Sequence, residues 1–228
     1  LRSELTFLGG DMSTSRGFLF TLFVIVLFGC SPELPKNYDA EKSVTKSVAV
    51  RMEANNGLLE LNGLEDISLE VATILVEKAD TIHLNGLKYI NDDVGDILAG
   101  ADATISLEGL TKLTHQGIAY KIAEPAGPLF LPLLETLSTG AAKGLASHDG
   151  DLGIPKLKNL EEGVAKALAS HRGRLWLSAI TRLTDQQVES LFPHDGEIIF
   201  HDLEDISPRA RIILKRKGFV VPDAISEN

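Results

Sequence analysis

The chain has 228 residues, 22 Lys plus Arg against 32 Asp plus Glu, a single Cys and 44% apolar residues. A charged fraction of 24% with 9 Pro is not that of a disordered chain, and one Cys excludes an internal disulfide framework or a Cys-rich zinc site. The net charge of −10 argues against a nucleic-acid partner, because binding phosphate needs a basic face.

Residues Phe18 to Phe28 read FLFTLFVIVLF, apolar except at Thr21. As a helix this run would span roughly 16 Å, about half a bilayer core, which is the size of a signal-peptide h-region rather than of a membrane span. Arg16 supplies the positive flank, and Met12 just before it is the expected start of translation. The run leads into Leu27-Phe28-Gly29-Cys30, which resembles the bacterial lipobox. That resemblance implies a signal peptide over 1–29, lipidation of Cys30 and a membrane-anchored envelope protein, periplasmic or on the outer surface. The alternative is an ordinary secretory signal with an incidental Cys. Residues 30–42 contain two Pro without apolar periodicity and read as a tether.

From residue 43 onward one pattern repeats. Leu-x-Leu-x-x-Leu-x-x-Leu, with Ile or Phe substituting, begins at Leu59, Ile82, Ile105, Leu129, Leu152, Leu175 and Ile198, at intervals of 23, 23, 24, 23, 23 and 23. The first alternating pair predicts a short strand with one buried face. Ser68, Asn91, Thr114, Ser138, Thr184 and Ser207 then stand where a helix N-cap is expected, with Glu161 in the remaining copy. Apolar residues at helical spacing follow, such as Val71 and Leu75 or Val164 and Leu168, and a Gly turn (Gly150, Gly173, Gly196) resets the chain.

This unit resembles the leucine-rich repeat, and most closely its cysteine-containing type, which continues into a helix start like Leu183-Thr184-Asp185. The resemblance covers roughly Ser43 to Val221, within a repeat domain expected over 43–228. It implies an α/β fold, a right-handed solenoid with one short parallel strand and one short helix per repeat. Where the family carries Asn or Cys, this chain has Leu64, Leu87, Leu110, Leu134, Leu157, Ile180 and Leu203. Apolar packing is therefore expected in place of the family's side-chain ladder. Residues 48–57 align with 164–173 as a half-repeat cap, and Pro208 to Gly218 predicts a closing helix with a basic face of Arg209, Arg211, Lys215, Arg216 and Lys217.

Chemistry is sparse. Ser138 to Gly144 lacks the order of a phosphate loop, so no nucleotide is expected, and no nucleophile-elbow motif flags a catalytic Ser. His148, His171 and His194 recur every 23 residues at a helix-ending position, and His201-Asp202 is the densest acid–His pair; either set is the alternative of a metal-binding or metal-dependent module. The favoured reading lies on the strand face, where the residue between the two Leu points away from the core. That column reads Glu60, His83, Ser106, Phe130, Gly153, Trp176 and Ile199. Phe130, Trp176, Ile199 and the neighbouring Arg174 are the expected contact residues for a protein or glycan partner, with no cofactor and no catalysis. A purely structural envelope protein is the remaining alternative.

Overall fold

The apolar positions of the repeated pattern form the core: all are buried except Leu129 and Ile206, which are half-buried against it. In the computed structural model, which describes residues 38–222, strands of successive units pair side by side except at one break. The expected signal peptide over 1–29, Met12 and Cys30 lie outside the described residues.

A short helix, α1 (Lys46–Arg51), precedes strand β1 (Leu58–Glu60). There follow α2 (Leu69–Val76), β2 (Thr81–His83), α3 (Asp92–Ala99), β3 (Thr104–Ser106), β4 (Lys112–Leu113), α4 (Gln116–Ala123), β5 (Leu129–Phe130) and β6 (Thr136–Leu137). The chain continues through α5 (Thr139–Leu145), β7 (Leu152–Gly153), α6 (Glu162–Leu168), β8 (Leu175–Trp176), β9 (Arg182–Leu183), α7 (Asp185–Leu191), β10 (Ile198–Ile199), β11 (Asp205–Ile206) and α8 (Pro208–Lys217). All strand pairs are parallel, with Leu59 opposite Ile82, Ile82 opposite Ile105, and Leu152 opposite Leu175. The fold is mixed α/β, short parallel strands alternating with helices, an arrangement compatible with a solenoid.

Local chemistry sets where each helix begins. Ser68, Asn91, Ser138 and Ser207 each accept a hydrogen bond from the backbone N–H three residues on, and Thr184 forms a capping box with Gln187. Glu161 makes no side-chain cap bond. Thr114 corrects the expectation: the cap of α4 is His115, whose Nδ1 accepts from Ile118 N–H at 3.1 Å. Because Nδ1 accepts, the ring proton sits on Nε2, 3.2 Å from Asp96 Oδ1. The one 24-residue interval thus carries its extra residue ahead of α4, which displaces capping by one position. At the far end, Gly218 stops α8 in the left-handed conformation (φ 71°) that glycine adopts without steric cost.

The sheet runs β1-β2-β3 and then starts again as β5-β7-β8-β10, so the main strand ladder is interrupted between β3 and β5. The units on either side pair at the next strand along, β4 with β6, with Lys112 opposite Thr136 and Leu113 opposite Leu137, as β9 and β11 do further on. Behind them α4 and α5 approach closely: a Cβ on Gly144 would lie 2.6 Å from that of Ala119.

A polar ladder is present, contrary to the expectation of purely apolar packing, but it stands two residues before the family's position. Asp39 Oδ1 accepts from Asn62 N–H (2.9 Å), Asn62 Oδ1 from Asn85 N–H (3.3 Å), and Asn85 Oδ1 from Glu108 N–H (2.9 Å), each step spanning 23 residues. The equivalent positions in the next two units are Pro132 and Pro155, which have no N–H to offer, and the ladder ends. Asp39 also revises the tether: Tyr38 packs against the core, and Lys42 pairs with Glu65 while its carbonyl accepts from Glu65 N–H. Residues 38–42 belong to the fold as a partial unit ahead of β1.

Asn85 Oδ1 also accepts from Ser106 Oγ at 2.9 Å, so Asn85→Ala removes the acceptor for two donors. It should lower the unfolding free energy by about 1 kcal/mol. Leu177→Ala, which empties a fully buried site, should cost about 3 kcal/mol; urea denaturation of both variants measures the contrast.

Candidate functional site

Side chains alternate along each strand, so residues at i−2, i and i+2 share the outer face. Around Trp176 these are Arg174 and Ser178; around Ile199 they are Glu197 and His201; around Gly153 they are Asp151 and Pro155. On the first three strands the central column is polar: Glu60, His83 and Ser106. Beyond the interruption of the ladder it becomes apolar.

Phe130, Gly153 and Trp176 stand in register on three adjacent strands. A Cβ on Gly153 would collide with the Phe130 ring, so the ring lies over the glycine. It thereby reaches Trp176, with ring centroids 5.5 Å apart and planes tilted by 38°. A pair in this geometry contributes about 0.5–1.5 kcal/mol beyond its area burial. Phe130 is still 46% exposed. Ile199 lies beside Trp176 in register, and Val220 bridges to Ile199 and is itself exposed, extending the stripe by one more residue.

Both edges of the stripe are polar. On one side Arg174 lies over the Trp176 ring, 5.0 Å from its centroid. Its Nε and Nη2 donate to Asp151 Oδ2 at 3.2 and 2.8 Å, and its backbone N–H donates to Asp151 Oδ1 at 3.1 Å. The side-chain bonds from Arg174, reinforced by its backbone N–H, hold the Asp151 carboxyl below the usual aspartate range. On the other side Ser178 Oγ and His201 Nδ1 lie 3.0 Å apart.

Behind the sheet the three periodic histidines form a buried column. The rings of His148, His171 and His194 are stacked nearly parallel, with centroids 6.4 and 6.3 Å apart. A metal ion bonds imidazole nitrogen at about 2.0–2.1 Å, so parallel rings at this spacing cannot share one ion. Among the described residues no group of His, Cys, Asp or Glu is placed to hold a metal, and His201 faces Ser178 rather than a carboxylate cluster. His148 Nδ1 lies 2.9 Å from the carbonyl of Ala123, the last residue of the preceding helix, and Nε2 lies 2.7 Å from Gly127 O. His148 therefore serves the neighbouring unit's helix end, not its own. A neutral ring can donate to only one of two such carbonyls. The ring nitrogens of His171 and His194 are buried without a well-formed hydrogen bond.

The structure brings all four sequence-nominated residues together: Phe130, Trp176 and Arg174 touch, and Ile199 adjoins Trp176. Sequence reasoning missed Asp151, Ser178, His201 as a rim residue, and Val220. Gly153 was visible in the outward column, but its role as the gap that lets two rings meet needed coordinates. A separate cleft of about 450 Å³, lined by Tyr120, Glu124, Ser147 and Asp149 among others, lies outside this face and gathers no comparable set of groups. No protein-family model matches the chain, and neither the curated proteins nor the solved structures contain a match.

Burial lowers the His171 pKa, as do the charges of His194 and His148; burial also lowers that of His194, with Lys217 adding to it. A folded-state pKa below the unfolded value of about 6.5 means that the unfolded chain binds protons first. Stability is thus complete above that pH and falls as pH drops below it, until the folded-state rings also titrate. The melting temperature should decline between pH 7 and pH 5, and His171→Leu with His194→Leu should flatten that slope.

Proposed function

We propose that the chain is a right-handed, leucine-rich-repeat-like solenoid, held at a bacterial envelope membrane by a lipid on Cys30. In this reading it acts without catalysis, as a scaffold that binds a protein or glycan partner through its strand face. The constant parallel register, with a helix on each crossover, supports the solenoid, and the right-handedness follows from the general rule for strand–helix–strand connections. The lipid anchor rests on the sequence of residues 16–30 alone.

One observation carries the binding role: Phe130 and Trp176 meet across Gly153 on an outer face, beside Ile199 and Val220. Apolar side chains on this side of the sheet contribute nothing to the core that the inward Leu columns do not already supply. Contiguous exposed apolar surface of this kind marks partner sites, and Trp and Arg dominate the energetic centres of interfaces.

Phe130→Ser with Trp176→Ser should abolish retention of envelope components by the immobilised chain, with far-UV circular dichroism unchanged and only a small drop in melting temperature. Retention that survives the double substitution would place the binding surface elsewhere. The anchor is tested separately: fatty-acid labelling should mark the wild type and be absent from Cys30→Ala.

A further inference from the structure

We infer that the occupant of the strand face is a neutral, linear oligosaccharide lying along the stack of strands, its sugar faces on Phe130 and Trp176. This rests on the strand-face reading above and narrows it. Three features of the face point to this class of ligand.

The first is its shape. The apolar stripe from Phe130 to Val220 crosses four strand spacings, roughly 19 Å at about 4.8 Å each, but is only one side chain wide. A stable protein interface needs a broad patch of about 800 Å² per partner, with a desolvated centre inside a polar rim. A narrow stripe suits a chain-like molecule. The second is the disposition of polar groups. Asp151 with Arg174 on one edge, and Ser178 with His201 on the other, each stand two residues, about 6.6 Å, from the central column. A pyranose has apolar C–H faces and hydroxyls radiating from its edge, so a sugar lying flat on the rings would turn its hydroxyls toward both rims. The carboxylate and the imidazole can accept from hydroxyls, while the guanidinium and the serine can donate.

The third is charge. Arg174, the cation that lies against the aromatic stripe, is neutralised in place by Asp151 and so is not free to bind a phosphate, sulfate or carboxylate. A peptide strand finds no backbone groups to pair with on this face, because the ladder bonds within β5, β7, β8 and β10 are already made between those strands; strand addition works at a sheet edge. Neutral sugar is the chemistry that matches floor and rims together.

Trp176 is the only Trp in the chain, so its fluorescence reports on this face alone. The full chain, solubilised in a detergent without a sugar headgroup, is titrated with chitohexaose and with cellohexaose. At least one should produce a saturable blue shift of the emission and protect it from iodide quenching, with an affinity independent of salt. Phe130→Ala should weaken that affinity about tenfold, a loss of about 1.4 kcal/mol. Gly153→Ala retains both rings but displaces Phe130 from Trp176, and it should weaken binding comparably. Asp151→Asn and Ser178→Ala should each weaken it several-fold. No spectral response to either sugar, or a response unaffected by Phe130→Ala and Gly153→Ala, overturns the oligosaccharide inference. In that event, retention of envelope components that still depends on Phe130 and Trp176 would leave the scaffold reading standing with a different ligand, and loss of both would end both.

Discussion

The contacts that stack one unit of this protein on the next are made between residues about 23 positions apart. Parallel pairing sets Leu59 against Ile82 and Leu152 against Leu175, and the apolar columns stack in the same register behind them. A slip of one residue would turn each buried Leu to solvent and each outward residue into the core, so the hydrophobic period and the strand register enforce one another. With each unit touching chiefly its neighbours, stability is close to a sum of unit and interface contributions. The polar ladder of Asp39, Asn62 and Asn85 runs on the same step, and the histidine column keeps the same period.

The single departure from that step organises the rest. One added residue before α4 moves the helix cap to His115, and in the same unit the strand ladder is interrupted between β3 and β5 while β4 and β6 still pair. The character of the outer face changes at the same place: Glu60, His83 and Ser106 precede it, and Phe130, Trp176 and Ile199 follow. Pro132 and Pro155 enter where the carboxamide ladder stops, and the same column turns polar again only at Ser178 and His201.

Much of this was legible from residue spacing, because burial in a stacked array is periodic and Leu columns announce themselves. The strand positions, the helix starts at Ser68, Asn91, Ser138, Thr184 and Ser207, and the outward placement of Trp176 all follow from the pattern. What was not legible depends on neighbours in space. Thr114 and His115 are both competent caps, and only the backbone path selects between them. Asn62 and Asn85 stand two residues before the family's ladder position, which Leu64 and Leu87 fill, so the repeat motif does not mark them. Asp39 lay in a stretch whose prolines suggested a tether. Gly153 reads as a missing side chain until the rings on either side of it are seen to need that space.

The turns near the histidine column carry a consequence for how such a chain can change in length. A Cβ on Gly150 would strike the carbonyl of Gly127, one on Gly173 that of Gly150, and one on Gly196 would lie 2.5 Å from that of Gly173. From Gly127 to Gly196 each unit therefore supplies the carbonyl against which the next presents a bare glycine. Copying a whole 23-residue segment within this stretch reproduces both halves of that fit, so it can lengthen or shorten by entire modules. An insertion of any other size between these turns would set a glycine and its facing carbonyl out of step.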